Sequence, residues 1–297
     1  MRIVRWAFIL VLIFTATLAA TPAHLQSEID RIMQGRKGTA VLLDVRSGKI
    51  LAAYHPDVAA RRLALPGSAV KPFTLLALID SGKVRPEEKF LCRRQVHIGA
   101  RNLTCSHPDT GQPFDAATAL AYSCNDYFTS MAVRLTANEL RDAFVAAGFS
   151  SPSGLVHDDA VGSVNRTGAR EQRQLQAVGE FGVRITPLEL LAGYRKLAQR
   201  LPSAHATLAE RAVSAGIQVS TDYGMARLGQ PKGLRVAGKT GTSRADGGPW
   251  THGWFAGFAP ADNPQVAVVV FLERGTGPAD AAPLAAQILQ AWVAEPK

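Results

Sequence analysis

Strand-like segments lie at both ends of this chain of 297 residues, and mostly helical segments lie between them. Residues 37–56 contain two apolar runs on either side of Arg-Ser-Gly-Lys, a pattern typical of a β-hairpin. Three more strand-like runs follow Gly233: LRVAGKTGTS, HGWFAGFAP and QVAVVVFLE. The economical fold is therefore α/β (α+β), with a mainly antiparallel five-stranded sheet that is flanked by helices and formed by both chain ends. An all-helical lobe is inserted between those ends.

The apolar spacing predicts the segments between the strands. The α/β lobe covers about 35–84 and 202–297, and the helical lobe covers about 85–201. Thr186 as N-cap and Pro187 at the first position predict the start of an amphipathic helix. The other predictions are a helix from Pro66 to about Ser81, a loop over 85–112, helices over 116–147 interrupted near Ser123, a surface loop over 148–170, helices over 186–201 and 280–295, and a turn at 262–264.

The N-terminus has the pattern of an export signal. Arg2 and Arg5 precede an apolar stretch from Trp6 to Ala20. About 15 apolar residues fit a secretory signal, whereas a spanning helix needs about 20. We predict that residues 1–23 are a signal peptide or an N-terminal membrane anchor and that residues 24–297 form the functional domain. The protein is then exported, to the periplasm or the outer face of the cytoplasmic membrane.

The formal net charge of +9 comes from 33 Lys and Arg residues against 24 Asp and Glu residues. The basic residues are scattered singly or in pairs such as Arg61–Arg62, so no nucleic-acid partner is predicted. A basic surface of this kind also suits an anionic polymer of the cell envelope.

Three cysteines are present, and export would place them in an oxidising compartment. Cys92 and Cys105 flank a short segment rich in Arg, Gly and Asn, and we predict a disulfide between them. His97 and His107 lie nearby, so a zinc site is the alternative. The usual C-x-x-C pair is missing, and we therefore expect no metal. Cys124 is left over, and we interpret it as a packing residue.

The stretch Pro66-Gly-Ser68-x-x-Lys71-Pro72 begins a run of apolar residues. Proline is tolerated in a helix only in the first turn, so Pro72 places the helix start near Ser68. Lys71 then lies one turn on, on the same face. A serine hydroxyl becomes a nucleophile when a neighbouring base takes its proton, and a lysine serves as that base only if its pKa falls toward neutrality. Taken alone, the pair also fits an N-cap serine and a surface lysine.

Two further motifs carry polar groups. In AYSCNDYF, Ser123 and Asn125 interrupt a helical pattern, so a short loop could present a hydroxyl and an amide together. In AGKTGTS, the glycines around Lys239 suggest an edge strand that another backbone approaches closely. Lys239 and the two threonines beside it supply a cation and hydroxyls for a carboxylate. The alternatives are a polar helix–helix turn and a solvated hairpin.

Together, and in this order, the three motifs resemble those of the penicillin-recognising serine acyl transferases, above all the transpeptidase domain of penicillin-binding proteins. The resemblance covers roughly residues 35–295. It rests on PGSAVKPF, ALAYSCNDYF, GEFGVRITPLEL, GKTGTS and HGWFAGFAP. It implies an active site between the two lobes and no cofactor. The larger crosslinking enzymes of the family usually carry further modules, and by contrast we expect a free-standing catalytic domain here.

The resemblance implies four catalytic residues. Ser68 attacks the carbonyl of the penultimate D-alanine of a peptidoglycan stem peptide, and the terminal D-alanine leaves. Lys71 is the base for acylation. Ser123 and Lys239 relay a proton toward the leaving group, and two lysines at one serine would lower each other's pKa.

The resemblance also implies a substrate-binding set. Asn125 holds the substrate amide, while Thr240 and Thr242 bind the terminal carboxylate beside Gly241. The backbone N–H groups of Ser68 and Thr242 form the oxyanion hole. The implied partners are stem peptides, β-lactams and cell-wall synthesis proteins.

Two rival functions share this scaffold. A class A β-lactamase would need an E-x-x-L-N segment, which this sequence lacks. A class D enzyme has a middle motif that ends in Val, where Asn125 stands here. A non-catalytic β-lactam sensor or scaffold is the other alternative, and the intact motifs argue against it.

Overall fold

The computed structural model describes residues 23–295. Apart from Ala23, the predicted signal peptide or anchor lies outside these residues. Within the described range, no helix is both long enough and apolar enough to cross a bilayer.

Ten helices and nine strands follow one another in the described part of the chain. The helices are α1 Ala23–Met33, α2 Pro56–Arg61, α3 Lys71–Asp80, α4 Ala116–Ala121, α5 Asn125–Ala132, α6 Ala137–Ala147, α7 Arg170–Ala177, α8 Pro187–Arg200, α9 Leu208–Asp222 and α10 Ala282–Ala294. The strands are β1 Gly38–Asp44, β2 Ile50–Tyr54, β3 Gln95–Ile98, β4 Arg101–Thr104, β5 Ser163–Val164, β6 Val183–Arg184, β7 Ala237–Arg244, β8 Thr251–Ala259 and β9 Val266–Leu272.

The main sheet has the five strands that the sequence predicted, in the order β2-β1-β9-β8-β7, and every neighbouring pair is antiparallel. The N-terminal hairpin β1–β2 joins the three C-terminal strands through the β1–β9 pairing, which runs from Gly38 opposite Leu272 to Asp44 opposite Val266. The predicted sheet of both chain ends is confirmed. β7 is the edge strand on the C-terminal side.

The sheet separates two apolar cores. Alternate residues of a strand point to opposite faces, and β1 follows this rule: Val41 and Leu43 face one core, whereas Ala40 and Leu42 face the other. The first core contains the central helices. The second lies under α1 and α10. Because β9 is covered on both faces, its sequence VAVVVFL is continuously apolar rather than alternating.

Helix α1 was not predicted. Its apolar residues Leu25, Ile29, Ile32 and Met33 follow helical spacing and are buried against β2 and α10. In the sequence this helix lies shortly after the apolar stretch from Trp6 to Ala20.

The prediction of an all-helical insert was wrong in one respect, because two short ribbons, β3–β4 and β5–β6, lie within it. β3 is part of the predicted loop over 85–112, and Val96 and Ile98 are buried on one face while Gln95 and His97 are exposed. This alternation was the missed strand signal. Helix α9 follows the insert and packs against α4 as well as β7. The lobe boundaries stay predictions.

Candidate active site

Ser68 lies in a tight turn directly ahead of a buried helix. Residues Gly67–Val70 form a 3-10 turn, and α3 begins at Lys71 with Pro72 in its first turn. The α-helix therefore begins three residues later than the predicted start near Ser68. The Lys71 backbone N–H donates to the Ser68 carbonyl, so the turn leads straight into the helix. Proline fits there because the first turn of a helix leaves its N–H groups unpaired.

The turn is held in place by the rest of the molecule. Gly67 has a φ of 54°, and its N–H donates to the Gly179 carbonyl over 3.1 Å. The buried Tyr194 hydroxyl donates to the Ala69 carbonyl over 2.9 Å. A Cβ on Gly67 would lie 2.4 Å from the Thr242 carbonyl oxygen. Glycine is thus required there both by its backbone conformation and by the approach of the sheet edge.

Two buried lysines converge on Ser123. Lys71 Nζ donates to the Ser123 carbonyl over 2.8 Å, to Ser123 Oγ over 3.3 Å and to Asn125 Oδ1 over 2.7 Å. From the sheet side, Lys239 Nζ donates to Ser123 Oγ over 2.9 Å and to the Thr240 carbonyl over 2.8 Å. The Ser123 hydroxyl therefore bridges two amines, one from α3 and one from β7.

Burial lowers the pKa of both lysines. Desolvation lowers the pKa of Lys71 to about 8, against the opposing effect of Cys124, Cys105 and Glu180. Burial also lowers the pKa of Lys239 well below its usual value, and the charge of Lys71 lowers it further. The electrostatic effect between the lysines is thus secondary to burial. A substantial fraction of Lys71 is neutral near pH 7 to 8, which a general base requires.

Ser123 lies at a sharp corner between α4 and α5, where the sequence predicted an interruption. Its φ of 54° falls in the left-handed region that residues other than glycine seldom adopt. Asn125 is the first residue of α5, and its Nδ2 donates to the Thr104 carbonyl of β4 over 2.9 Å. The corner therefore presents a hydroxyl and an amide side by side, and Lys71 contacts both.

The edge strand β7 packs directly against the turn that carries Ser68. A Cβ on Gly241 would lie 2.5 Å from the Pro66 carbonyl oxygen and 2.9 Å from the Ala69 backbone nitrogen. The predicted close approach of another backbone to the Lys-Thr-Gly strand is therefore observed. The backbone that approaches belongs to the same chain, and it is the nucleophile turn.

The backbone of Thr242 faces the free edge of the sheet. Its carbonyl oxygen lies beside Gly67, on the side away from β8. In an antiparallel strand the N–H and C=O of one residue point to the same side, so the Thr242 N–H also faces this turn.

The two threonines of the motif have different surroundings. Thr240 is only 2% exposed, and its hydroxyl donates to the Met225 carbonyl over 3.4 Å. Thr242 is half-buried, and its Oγ1 accepts the Gly277 N–H over 3.0 Å, which leaves its hydroxyl proton for another partner. Of the two, Thr242 lines the open cleft.

The cleft has a volume of about 520 Å³, and Asn125 and Thr242 lie on its walls. Three charged residues in it were not singled out from the sequence. Arg101 of β4 donates to Glu180 Oε2 over 2.8 Å, and burial raises the pKa of Glu180 despite this partner. Arg244, at the end of β7, is exposed. Glu180 belongs to the GEFG segment, which was noted only as part of the resemblance.

The predicted disulfide is not formed, since all three cysteines are free. Cys92 Sγ lies 3.6 Å from Cys105 Sγ, whereas a disulfide requires about 2.05 Å. A third thiol shares this place: Cys124 Sγ lies 3.3 Å from Cys92 Sγ and 3.8 Å from Cys105 Sγ. Hydrogen bonding from Cys124 holds the pKa of the Cys105 thiol well below its usual range. Cys124 is more than the packing residue that the sequence suggested.

Comparison with known proteins points to one family. A probable peptidoglycan D,D-transpeptidase PenA of Neisseria flavescens is 28% identical over an alignment 286 residues long, gaps included, and the match takes in 82% of this chain and 70% of the relative. A peptidoglycan D,D-transpeptidase PbpA of Mycobacterium tuberculosis is 25% identical, covering 91% of this chain and 70% of the relative. The chain spans 48% of the length of the similar PenA of Neisseria meningitidis.

Solved structures share the fold. PBP2 of Pseudomonas aeruginosa, in complex with WCK 5153, superposes with a TM-score of 0.78 at 22% identity, over 92% of this chain and 74% of that one. The penicillin-binding protein PBP2 of Helicobacter pylori superposes with a TM-score of 0.80 at 17% identity, over 90% of this chain and 62% of that one.

Residues 38–290 match the penicillin binding protein transpeptidase domain, a span that includes the five-stranded sheet, the Ser68 turn and both buried lysines. The chain therefore belongs to the penicillin-binding protein transpeptidase domain family.

Proposed function

We propose that this protein is a serine D,D-transpeptidase and carboxypeptidase that acts on D-Ala-D-Ala stem peptides of peptidoglycan through an acyl-enzyme at Ser68. The observation that carries the proposal is the Ser123 hydroxyl, which bridges two buried lysines beside the Ser68 turn. The names of the relatives support the same reaction class.

Acylation begins with proton transfer. Neutral Lys71 takes the proton of Ser68 Oγ as that oxygen attacks the carbonyl of the penultimate D-alanine. Lys71 donates to Ser123 and Asn125 in the resting geometry, and catalytic hydrogen bonds commonly tighten only when substrate binds. The lowered pKa of Lys71 makes this transfer accessible near neutral pH.

The tetrahedral intermediate places negative charge on the former carbonyl oxygen. The Ser68 and Thr242 N–H groups are the proposed donors to it, because both belong to backbone at the junction of the turn and the free sheet edge. The C–N bond then breaks. Ser123 passes a proton from the lysine pair to the leaving D-alanine nitrogen, with Lys239 at its other side.

The substrate would be held in the cleft between the lobes. The free edge of β7 offers backbone groups to an extended peptide. Asn125 has one remaining Nδ2 proton for the substrate amide. Thr242, with the Lys239–Gly241 segment, is proposed to bind the terminal carboxylate. Thr240 would contribute through its carbonyl contact with Lys239 rather than through its buried hydroxyl.

The acyl group is released either to the amine of a second stem peptide or to water, which separates the transpeptidase from the carboxypeptidase reaction. Export to the periplasm or the outer face of the cytoplasmic membrane, where such stems occur, is part of the proposal, as are partner proteins of cell-wall synthesis. A β-lactam would acylate Ser68 by opening its ring, because the ring amide takes the place of the D-alanyl peptide bond.

The test is covalent labelling. Purified protein is incubated with a fluorescent penicillin, and its intact mass is measured. We expect one adduct on the wild type and on Ser151→Ala, a control at an exposed serine, and none on Ser68→Ala. An adduct on Ser68→Ala would refute the assignment. Fast turnover of nitrocefin would instead indicate a β-lactamase, and labelling without any release of D-alanine from a D-Ala-D-Ala pentapeptide would indicate a sensor.

A further inference from the structure

Four metal-ligating side chains meet directly behind the Ser123 corner. Cys92 precedes β3, Cys105 and His107 follow β4, and Cys124 is the N-cap of α5. Their sulfur and nitrogen ligand atoms all lie within 4.8 Å of one another. Cys105, His107 and Cys124 are buried, and Cys92 is half-buried.

The three sulfur–sulfur distances and one sulfur–nitrogen distance are close to the edges of a zinc tetrahedron. With Zn–S bonds of about 2.3 Å and a Zn–N bond of about 2.0 Å, tetrahedral angles place two sulfurs about 3.8 Å apart and a sulfur and a nitrogen about 3.5 Å apart. The three sulfur–sulfur distances are 3.3, 3.6 and 3.8 Å. Cys92 Sγ lies 3.5 Å from His107 Nε2. The distances from the His107 ligand nitrogen to the Cys105 and Cys124 sulfurs do not exceed 4.8 Å, so a shift of the imidazole would bring all four atoms onto one ion.

The surroundings prepare these atoms as ligands. His107 Nδ1 lies 2.8 Å from the Pro108 carbonyl, so the proton is held on Nδ1 and the Nε2 lone pair faces the sulfurs. Backbone N–H groups donate to two of the sulfurs: Arg94 to Cys92 over 3.3 Å and Tyr127 to Cys124 over 3.4 Å. Such donors stabilise thiolates, which are the form that binds metal.

We propose that Cys92, Cys105, His107 and Cys124 bind one Zn²⁺ in a closed tetrahedral site. Three thiolates and an imidazole with no open position are the ligand set of structural zinc. A single disulfide would leave the third thiol and the oriented imidazole without a function. The absent C-x-x-C pair does not count against the site, because its ligands come from three separate segments that the fold brings together.

The site explains how the catalytic corner is held. Cys124 stands between Ser123 and Asn125, so a metal bound there ties the corner to both ends of the β3–β4 hairpin. The binding claim stands without the proposed catalytic function. It assigns Cys124 a positioning role, acting through the backbone of its two neighbours.

The test measures metal directly. The full chain is purified without chelator and under argon, and zinc is quantified by plasma mass spectrometry and by native mass spectrometry. We expect one zinc per chain, released when a mercurial blocks the thiols. Replacement by Co²⁺ should give the visible absorption of tetrahedral cobalt thiolate. Purified wild-type protein without metal that does not take up Zn²⁺ or Co²⁺, or a Cys92–Cys105 disulfide in non-reducing peptide mapping, would overturn the proposal.

Variants locate the ion. Cys92→Ser and His107→Ala should lose zinc, while His97→Ala should keep one zinc per chain, because His97 lies on the same hairpin and contacts Asn102 instead. If the ligand variants do not fold, the wild-type stoichiometry and the cobalt spectrum still decide the question. Labelling by penicillin is scored separately, so a failed metal site and a failed Ser68 assignment give different results.

Discussion

Replacing Asn125 by Asp tests whether Lys71 is the titrating base. Asn125 Oδ1 lies 2.7 Å from Lys71 Nζ, so Asn125→Asp places a carboxylate in contact with the amine. A nearby negative charge favours the protonated amine and therefore raises the pKa of Lys71. Acylation needs the neutral amine, so the rate at neutral pH should fall and recover as the pH rises.

The size of the effect follows from the pKa of about 8 for Lys71. At pH 7 that pKa leaves about 9% of the amine neutral. An opposite charge in contact shifts a pKa by about 1 to 3 units. The neutral fraction at pH 7 then falls to between about 1% and 0.01%, which predicts a roughly 10- to 1000-fold slower acylation.

The assay is the second-order rate constant for acylation by a fluorescent penicillin, followed from about pH 6 to pH 10. The wild-type rate should rise about tenfold per pH unit and level off above about pH 8. Asn125→Asp should move the midpoint upward by at least one unit. Asn102→Asp is the control, because it adds a charge on β4 in the same cleft without contact to Lys71.

The midpoint of the pH–rate profile decides between the two outcomes. The second carboxylate oxygen of Asn125→Asp would face the Thr104 carbonyl and cost stability. A smaller folded fraction lowers the plateau of the rate without moving its midpoint. An unchanged midpoint in Asn125→Asp would show that Lys71 does not titrate in this step and would refute the proposed base.

Two comparisons probe β7. Gly241→Ala should lower the free energy of unfolding by about 1–3 kcal/mol in urea denaturation, because its Cβ would lie 2.5 Å from the Pro66 carbonyl oxygen. Gly168→Ala, with nothing within 4 Å of its Cβ, should change it by less than about 0.5 kcal/mol, and equal losses would contradict the packing argument. Thr242→Val should slow acylation about tenfold by removing a hydroxyl from the cleft, while Thr240→Val should leave the rate nearly unchanged. The reverse order would place the carboxylate site at Thr240.

Local patterns were enough to predict the sheet and much of the helical framework. Helix α8 begins after Thr186 as expected, since the Thr186 hydroxyl accepts the Glu189 N–H and the Glu189 carboxylate accepts the Thr186 N–H. Strand β9 was recognisable as a continuous apolar run. The corner at Ser123 was visible as a break in helical spacing. In each case the signal lies within a few neighbouring residues, so one stretch of sequence suffices.

The rest depended on contacts between distant segments. The sequence predicts a Cys92–Cys105 pair because the two flank one short segment, but Cys124 and His107 reach the same point through the fold. Thr240 and Thr242 lie two residues apart and share one face of β7, yet the Met225 carbonyl takes up the Thr240 hydroxyl while Thr242 lines the cleft. Spacing along the chain cannot distinguish these environments.

The Ser123 corner shows why the site needs both lobes. A serine at a φ of 54° is unfavourable unless its surroundings hold it there. Lys71 from α3 bonds its carbonyl and hydroxyl, and Lys239 from β7 bonds the hydroxyl from the opposite side. Both amines are buried, so each would lose a hydrogen-bond partner that water does not replace if the corner relaxed. The buried packing that lowers the pKa of the two lysines therefore also holds Ser123 in its unfavourable backbone conformation. A substitution of Lys71, Ser123 or Lys239 should change both the lysine pKa values and the conformation of the corner.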